Sequence, residues 1–438
     1  MKIAILGFGK QGRSAYEYWK STDNRITICD SDTTLKLPSD AKAKLGPDYL
    51  KGLERFDMIV RSPGIHPKDI EQANTPAIIE RVTTGTSEFF KTCPSKNVIG
   101  VTGTKGKGTT STLIAKMLEA AGKTVHLGGN IGTPPLDLLM ETEAVRSIQP
   151  DDWVVLELAN YQLIDFKYAP RIGVCLMVAP EHLDWHRNLD EYFTAKQQLF
   201  AHQKPDDLAI YYGRNEYSRD IAGASPGRIM PYYHPPGTII ENDDVIIDGT
   251  SICSTDEIKL LGRHNWQNVC AAVTVMWQIS KNIDAIREVL TSFAGMEHRL
   301  ELVREFGGVK YYDDSFGTTP ETARVAIETF TEPKIVILGG RTKGIPFDPL
   351  GEVVAGNNVK YVIAIGETGL EIMKVLRNAG YTSVVKGEKT IQGIVRQARD
   401  LAEPGDVVLL SPACTSFDMF ENYADRGEKF REAVLKLV

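Results

Sequence analysis

The sequence predicts an α/β protein of three domains, each built on a mainly parallel sheet. Near both ends of the chain, short β-prone stretches alternate with helical stretches, which is typical of parallel sheets covered by helices. A glycine-rich turn at residues 103–108 follows another β-prone stretch. The length of 438 residues exceeds what one ordinary core accommodates. We therefore expect domains over residues 1–92, 93–297 and 298–438.

The composition is that of a globular protein, with 42% hydrophobic and 24% charged residues. The formal net charge is -7, and no block of lysine and arginine suggests nucleic acid or an anionic membrane as a partner. The apolar start breaks at Gly7 and predicts a strand rather than a signal peptide. No apolar run approaches the about 20 residues that cross a bilayer. Six scattered cysteines without CxxC spacing predict reduced thiols. We expect a cytoplasmic monomer that acts on small molecules, without membrane insertion.

The first domain carries a glycine motif directly after its first predicted strand, residues 3–6. Asp30 ends the second strand, about where a ribose-binding acid lies in a Rossmann-like domain. The motif specifies a turn that admits a diphosphate, so a UDP-type ligand fits as well as NAD. The segment Arg61–Gly64 follows the third strand and is placed to close over the same ligand. Glycines that serve only close packing of strand and helix are the alternative. The candidate contacts are Gly7, Phe8, Gly9, Lys10, Gln11, Gly12, Asp30, Ser62 and Gly64.

The stretch from Val98 to Thr110 predicts a strand, a phosphate-binding loop and a helix. Backbone N–H groups, the helix N-terminus and Lys107 would hold the phosphates of ATP. Gly108 stands where the motif normally has a magnesium-binding Ser or Thr, and Thr109, one position along, is the candidate substitute. A glycine-rich turn without a ligand is the alternative. The candidate ATP contacts here are Gly103, Thr104, Lys105, Gly106, Lys107, Gly108 and Thr109.

Polar residues also follow other strands of the central domain. Asn130 lies in the loop Gly128–Gly132 and is either a substrate contact or an asparagine in a left-handed turn. Glu157 interrupts an apolar strand, where a charge needs a partner, and His182 lies in the loop after the next strand. Because parallel strands share one carboxyl edge, Glu157 and His182 are expected beside the phosphate loop, where magnesium belongs. An ordinary polar loop is the alternative for His182.

The remaining candidates are weaker on local sequence. Lys196 lies in a predicted amphipathic helix, residues 191–200, where composition alone suggests a solvated surface position. Asn265 and Asn268 lie near the start of a helix and either cap it or present their amides to a base. Four strands are predicted in the last domain, each followed by a polar or glycine-bearing loop where ligand contacts are expected. They cover residues 309–312, 334–338, 362–365 and 407–410.

Taken in order, these motifs resemble those of the Mur ligases of bacterial cell-wall synthesis, from the first domain to the last. Five signals in the order of that family carry the resemblance. They are Thr102-Gly103-Thr104-Lys105-Gly106-Lys107, Gly128-Gly129-Asn130-Ile131-Gly132, the His-Asn-x-x-Asn core within Gly262–Asn268, His298-Arg299, and Ser411-Pro412-Ala413-Cys414 continuing to Ser416-Phe417-Asp418 and Arg426-Gly427.

The resemblance implies an ATP- and Mg²⁺-dependent ligase that joins D-glutamate to UDP-N-acetylmuramoyl-L-alanine through an acyl phosphate. It implies a Rossmann-like first domain that binds UDP, a central domain of the P-loop ATPase kind, and a Rossmann-like third domain. The implied catalytic and metal residues are Lys107, Glu157, His182 and Lys196, with Lys196 carbamylated. The implied contacts are Asn265, Asn268, Arg299 and Asp314 for ATP, Asn130 and His182 for the precursor, and Thr318, Lys343, Ser416 and Tyr423 for glutamate.

The chain departs from the family pattern at several positions besides Gly108. Asn160-Tyr161 replaces Ser-Phe, Phe316 stands where the Asp-Ser-Lys loop carries lysine, and Tyr423 replaces Phe. Phe316 and Asn160 favour, as an alternative, a related ligase that uses another amino acid such as L-glutamate. Gly108 favours a nucleotide-binding protein without ligase activity. A nicotinamide dehydrogenase, suggested by the first glycine motif, is the most distant hypothesis.

Overall fold

The computed structural model describes residues 1–20, 23–39, 41–130, 132–141 and 147–438. The chain divides into two compact units. Unit 1 comprises residues 1–258 and 264–292, and unit 2 comprises residues 259–263 and 293–438. Unit 1 contains two separate parallel sheets, and unit 2 contains one mainly parallel sheet. The α/β class with parallel sheets is therefore confirmed.

The first sheet of unit 1 is parallel, with the strand order β3-β2-β1-β4-β5. Its strands are β1 (Lys2–Leu6), β2 (Arg25–Asp30), β3 (Lys42–Leu45), β4 (Met58–Arg61) and β5 (Val82–Thr83). Its helices are α1 (Lys10–Lys20), α2 (Pro67–Ala73) and α3 (Gly85–Thr92). The apolar residues of β1 are fully buried between the helices, as the sequence predicts. The glycine motif therefore follows a central strand at the carboxyl edge of the sheet.

The second sheet has six parallel strands in the order β11-β10-β9-β6-β8-β7. These are β6 (Asn97–Thr102), β7 (Val125–Gly129), β8 (Trp153–Glu157), β9 (Ile172–Cys175), β10 (Leu208–Tyr212) and β11 (Arg228–Tyr232). The helices of this region are α4 (Lys107–Ala120), α5 (Asn160–Leu163), α6 (Leu189–Ala201), α7 (Glu216–Ala222), α8 (Trp266–Ile279) and α9 (Ile283–Ser292). Three short antiparallel strands form a separate sheet: β12 (Ile239–Glu241), β13 (Asp244–Ile247) and β14 (Thr250–Ser254).

The position of β6 places the phosphate loop near the middle of the second sheet. The strand lies between β8 and β9, so the loop after it has the ends of both strands as neighbours. Helix α6 lies close by and begins at a capped end: the side chain of Asn188 accepts a hydrogen bond from the Glu191 N–H at 2.8 Å. Two acidic residues in the first turn, Asp190 and Glu191, add favourable charge at that end. The cap fixes the start of the helix that carries Lys196.

Unit 2 has a six-stranded sheet in the order β15-β16-β20-β17-β18-β19. Its strands are β15 (Glu301–Phe306), β16 (Val309–Asp313), β17 (Lys334–Gly339), β18 (Val359–Ile365), β19 (Val384–Lys386) and β20 (Val407–Leu410). Its helices are α10 (Pro320–Thr329), α11 (Asp348–Gly356), α12 (Gly369–Asn378), α13 (Ile391–Leu401) and α14 (Tyr423–Leu435). The four predicted strands are confirmed. The sequence did not predict β15, which pairs antiparallel to β16 at the sheet edge.

Among the described residues, no helix is long and apolar enough to cross a membrane. All six cysteines are buried free thiols: Cys29, Cys93, Cys175, Cys253, Cys270 and Cys414. Burial raises the pKa of the Cys29, Cys175, Cys253 and Cys414 thiols to about 11. These thiols are therefore protonated core side chains rather than reactive thiolates.

Candidate functional site

The phosphate-binding loop joins β6 to α4 in the predicted strand-loop-helix arrangement. Gly106 caps the helix with φ +86°, and a Cβ there would lie 2.3 Å from Asn268 Oδ1, so only glycine fits. Lys107 Nζ donates hydrogen bonds to the carbonyl oxygens of Gly103 at 3.1 Å and Thr104 at 2.9 Å. The ammonium group therefore lies against the loop, near a helix N-terminus that favours an anion.

Asn268 lies against this loop, and Asn265 is its hydrogen-bond partner. Asn268 Nδ2 donates to Asn265 Oδ1 at 2.8 Å, and Thr110 Oγ1 donates to Asn268 Oδ1 at 3.4 Å. Asn265 occupies the N-cap position of α8, but its side chain makes no capping hydrogen bond. Capping is therefore the wrong interpretation for Asn265. The two amides form a pair beside the first turn of α4.

Lys196 is buried, with only 1% of its surface exposed, and its Nζ donates to the carbonyl oxygen of Gly103 at 3.0 Å. The Nζ also lies 4.6 Å from the ring centroid of Tyr192. The surface position suggested by composition is therefore wrong. Burial, together with the charge of Lys107, lowers the pKa of Lys196 to about 7. A substantial fraction of this amine is neutral at neutral pH.

Glu157 ends β8 and is 2% exposed. Its Oε1 accepts a hydrogen bond from Asn130 Nδ2 at 3.1 Å. Its Oε2 is buried, and no other group in the described part of the chain donates to it. A buried carboxylate oxygen without a partner is costly unless a cation or donor compensates it. This oxygen therefore fits the magnesium site that the sequence predicts.

His182 has φ +58°, a left-handed conformation that residues other than glycine rarely adopt. Such strain persists where the surrounding structure holds it, often at functional sites. The His182 ring lies 5.0 Å from the Tyr161 ring, between centroids. Burial lowers the pKa of His182 against the opposing effect of Glu181. The neutral imidazole is the form that ligates metals.

A chain of hydrogen-bonded and charged side chains begins at Asn160, and no local pattern in the sequence predicts it. Asn160 Nδ2 lies 2.7 Å from His186 Nε2. Glu191 Oε2 lies 3.6 Å from His186 Nδ1 and 3.2 Å from His66 Nε2. Burial lowers the pKa of His186. The Asn160 amide, which stands where the family pattern has serine, is thus held by a chain of groups that ends at His66, just before α2.

In the first glycine motif, one glycine is packed against the backbone and another borders open space. A Cβ at Gly12 would lie 1.9 Å from the carbonyl oxygen of Gly7, so the packing interpretation holds for Gly12. A Cβ at Gly9 would meet nothing within 4 Å. The Phe8 N–H donates to Asp30 Oδ2 at 2.7 Å. Asp30 therefore fixes the loop, and the space beside Gly9 is open.

Two predicted ligand loops meet within unit 1. Lys10 Nζ donates to the carbonyl oxygen of Gly132 at 2.5 Å, and Gln11 Nε2 donates to that of Gly129 at 3.1 Å. The first glycine motif therefore contacts the loop that carries Asn130. Ile131 of that loop lies outside the described residues.

Arg61 is the first residue of the segment that the sequence places to close over the same ligand, and its side chain is held by other residues of unit 1. Its side chain is fully buried and pairs with Asp165 through two hydrogen bonds, Nε to Oδ2 at 2.9 Å and Nη2 to Oδ1 at 2.6 Å. It also donates to the carbonyl oxygens of Ile65 at 2.9 Å and Tyr161 at 3.2 Å. A buried guanidinium needs such partners. Arg61 therefore fastens its own loop to the helix that follows Glu157.

Ser62 and Gly64 belong to the same loop, and each is hydrogen-bonded to a different segment of unit 1. Ser62 Oγ donates to the carbonyl oxygen of Gly7 at 2.9 Å, beside the first glycine motif. The carbonyl oxygen of Gly64 accepts a hydrogen bond from Trp185 Nε1 at 3.1 Å. The structure thus brings Ser62 to the motif and Gly64 to the loop of His182.

Unit 2 carries the remaining candidates. Ser411 Oγ donates to Asp314 Oδ2 at 2.6 Å. Burial raises the pKa of Asp314 to about 7, although the Ser411 hydrogen bond and the charge of Arg299 oppose the shift. Arg299 and Asp314, both predicted ATP contacts, therefore lie close enough to interact electrostatically.

The predicted glutamate contacts of unit 2 lie on neighbouring loops. Lys343 Nζ donates to Thr318 Oγ1 at 2.9 Å. Arg341 and Thr415 pair through two backbone hydrogen bonds of 3.0 Å, which places the buried Ser416 beside the Lys343 loop. Tyr423, 37% exposed, begins α14.

The sheets and the loop define an α/β protein with a phosphate-binding loop at the carboxyl edge of a parallel sheet, a class that binds nucleotides. The family model of the Mur ligase middle domain matches residues 101–276, and that of the Mur ligase, glutamate ligase domain matches residues 298–414. The curated UDP-N-acetylmuramoylalanine--D-glutamate ligase of Clostridium tetani is 35% identical over 455 aligned residues, covering 100% of this chain and 97% of that protein. The chain belongs to the Mur ligase family, which confirms the resemblance.

Solved structures of the family show the same fold. The UDP-N-acetylmuramate-alanine ligase MurC of Thermotoga maritima has a TM-score of 0.61 at 16% identity and covers 99% of both chains. The MurF ligase of Thermotoga maritima in complex with ADP has a TM-score of 0.59 at 18% identity, covering 99% of this chain and 95% of that one.

Proposed function

We propose that the protein is an ATP-dependent ligase that adds D-glutamate to UDP-N-acetylmuramoyl-L-alanine in peptidoglycan precursor synthesis. One observation carries the proposal: the buried amine of Lys196 lies 3.0 Å from the carbonyl oxygen of Gly103 in the phosphate loop. This places a group that is able to become an anionic ligand directly at the phosphate site. The 35% identity with a D-glutamate ligase over the full chain supports the same activity.

The three-domain division assigns the main binding residues of one substrate to each part, and single residues of a neighbouring range add contacts. Residues 1–92 bind the UDP of the precursor, residues 93–297 bind ATP, and residues 298–438 bind the amino acid. Each range contains its own main sheet, which supports this division. The first two ranges lie mainly in unit 1 and the third lies in unit 2.

Magnesium fits the residues beside the phosphate loop. The unpartnered Oε2 of Glu157 and the depressed pKa of His182 provide a carboxylate oxygen and a neutral imidazole. Glu157, His182, Thr109 and carbamylated Lys196 would hold the ion. When bound, the ion neutralises charge on phosphoryl oxygens.

Carbamylation of Lys196 follows from its burial. A neutral lysine amine attacks carbon dioxide, loses one proton and becomes a carbamate with a negative charge. A pKa of about 7 makes the reactive neutral form abundant. The product offers oxygen to a hard cation, whereas an ammonium repels it.

The chemistry begins at a carboxylate, which is a poor electrophile. The carboxylate of the bound L-alanine attacks the γ-phosphorus of ATP, and the bond to the ADP oxygen breaks. The amine of glutamate then attacks the acyl phosphate, and phosphate leaves the tetrahedral intermediate after the nitrogen loses a proton. Lys107 stabilises charge on the transferring phosphoryl group. The protein must exclude water from the reacting groups, since water would hydrolyse the acyl phosphate.

Binding roles follow the sites described above. Asn265, Asn268, Arg299 and Asp314 contact ATP, and the open face at Gly9 with Ser62, Gly64, Asn130 and His182 contacts the precursor. Thr318, Lys343, Ser416 and Tyr423 receive glutamate. The cationic Lys343 suits a carboxylate of the amino acid.

A phosphate-release assay with a panel of amino acids tests the proposal. The reaction contains UDP-N-acetylmuramoyl-L-alanine, ATP and Mg²⁺, and each amino acid is added alone. We expect phosphate release that depends on both the precursor and D-glutamate. Release with another amino acid instead would support the second candidate, a ligase of altered specificity, which Phe316 favours. ATP binding without any release would support a nucleotide-binding protein without ligase activity, which Gly108 favours.

A further inference from the structure

Phe316 occupies the loop position where the family pattern carries lysine, and its ring contacts two predicted substrate residues of unit 2. The guanidinium carbon of Arg299 lies 3.8 Å from the ring centroid. The ring of Tyr423 meets the Phe316 ring at 79°, with 5.0 Å between centroids. The half-buried Phe316 therefore touches a predicted ATP contact and a predicted glutamate contact at once.

The backbone around Phe316 is fixed from both sides. The Phe316 N–H donates to the carbonyl oxygen of His298 at 3.0 Å. The preceding Ser315 N–H donates to Asp313 Oδ1 at 2.8 Å, and Asp313 Oδ2 lies 2.7 Å from His298 Nδ1. These bonds connect the Phe316 loop to the segment that carries Arg299. The backbones that carry the ring and the guanidinium are therefore held in a fixed relation to each other.

Ser315 also links this loop to the start of α14. Its Oγ donates to the carbonyl oxygen of Tyr423 at 2.8 Å. The fully buried Arg426 donates through Nε to Ser315 Oγ at 2.8 Å and through Nη2 to the Ser315 carbonyl oxygen at 2.9 Å. The backbones of Ser315 and Tyr423 are therefore held together, and the contact between the Phe316 and Tyr423 rings is part of a fixed arrangement.

The chemistry of the three side chains explains how an aromatic ring functions at this position. A guanidinium within about 6 Å of an aromatic face is attracted to the ring and stacks on it. A lysine ammonium at the same place would repel Arg299. The edge-to-face contact with Tyr423 is also favourable. The ring therefore supplies no charge of its own but fixes the direction of a neighbouring cation.

We propose that Phe316 is a positioning residue that orients the Arg299 guanidinium toward ATP and the Tyr423 ring toward the incoming amino acid. The substrates in this inference rest on the proposed ligase function. In this chain the Phe316 ring orients an arginine that belongs to the family pattern, while the direct charge of the family's lysine is absent. Phe316 itself takes no part in phosphoryl or acyl transfer.

Matched variants test the proposal. Phe316→Tyr keeps the aromatic face, whereas Phe316→Leu and Phe316→Met keep an apolar side chain without it. We expect the Leu and Met variants to raise the KM for ATP and for D-glutamate about three- to ten-fold, with kcat changed less than about two-fold. The Tyr variant should stay within about two-fold of the wild type. Phe316→Lys should raise the KM for ATP because it places a second cation beside Arg299.

ADP affinity, measured by calorimetry on the full chain, separates this inference from the ligase proposal because it requires no ligation. We expect weaker ADP binding in the Leu and Met variants and near wild-type binding in the Tyr variant. Equal affinity in all variants would overturn the inference, and so would tighter binding in the Lys variant. Two aliphatic variants are included so that poor folding of one leaves the comparison intact.

Discussion

Lys196 Nζ donates a hydrogen bond of 3.0 Å to the carbonyl oxygen of Gly103. This bond fastens a buried lysine of α6 to the phosphate-binding loop, while Lys107 Nζ bonds the same carbonyl oxygen at 3.1 Å. Because the two amines lie close enough to share one acceptor, a positive charge on one makes a positive charge on the other more costly. Lys196, the more buried of the two, is the one whose pKa falls to about 7.

This relationship predicts a carbamate at Lys196. In protein equilibrated with ¹³C-bicarbonate at about pH 8, we expect a carbamate carbon resonance that Lys196→Arg abolishes, because the guanidinium does not react with carbon dioxide. Lys123→Ala, a change at an exposed lysine just after α4, should leave the resonance unchanged. A resonance that persists in Lys196→Arg would contradict the assignment.

The position of Lys107 predicts a catalytic loss without a folding loss. Lys107→Ala removes the cation at the phosphate loop, and we expect precursor-dependent phosphate release to fall on the order of 100-fold or more. Lys123→Ala serves as the control and should retain wild-type rates. Thermal unfolding without ligands should be similar for both variants. An activity of Lys107→Ala within a few-fold of the wild type would remove Lys107 from the proposed mechanism.

The Arg61 ion pair predicts a large stability effect. Arg61→Ala leaves the Asp165 carboxylate unpaired in a site where the Arg61 side chain is 0% exposed, and we expect a loss of about 3–5 kcal/mol in the free energy of unfolding. Arg219→Ala removes a pair in the same unit whose side chains are 57% and 77% exposed, and it should cost less than about 1 kcal/mol. Urea unfolding followed by tryptophan fluorescence measures both. Equal losses would show that the buried pair does not fasten the loop.

Asp314 predicts a pH dependence of stability. Its pKa is about 7 in the folded protein and 3.8 in a free chain, so between these values the unfolded state ionises while the folded state keeps its proton. The contribution of Asp314 to stability therefore decreases as the pH rises from about 4 to 7 and is constant above that window. Asp314→Asn lacks this titration, so its stability relative to the wild type should rise across the window by a few kcal/mol.

Unfolding midpoints of the wild type and Asp314→Asn, measured at several pH values, test this expectation. Asp400→Asn provides the control in the same unit, because the Asp400 side chain is 63% exposed. Its stability curve should run parallel to that of the wild type between pH 5 and 8. A parallel curve for Asp314→Asn as well would contradict the raised pKa.

Features encoded by neighbouring residues were predictable from the sequence. The phosphate loop is recognisable because glycines and Lys107 lie between a β-prone stretch and a helical period, and the structure has that strand, loop and helix. The strand ending at Glu157 is recognisable because one acid interrupts an apolar run. The common carboxyl edge of parallel strands then places such residues near one another.

Pairings between distant residues were not predictable. Arg61 and Asp165 lie 104 residues apart, and His66 and Glu191 lie 125 residues apart, with no local pattern to link them. Burial of Lys196 depends on packing around α6, which overrides the surface position that its composition suggests. The contact of Phe316 with Arg299 likewise depends on the backbone bond between Phe316 and His298.

The mass of the reaction product tests the central proposal most directly. The protein is incubated with UDP-N-acetylmuramoyl-L-alanine, ATP, Mg²⁺ and an equimolar mixture of unlabelled D-glutamate and heavy-isotope-labelled L-glutamate, and the product is analysed by mass spectrometry. The proposed function predicts an amide product with the mass of unlabelled glutamate, in a yield that depends on ATP. A product that carries the heavy label, or no amide product while the protein binds ATP, would contradict it.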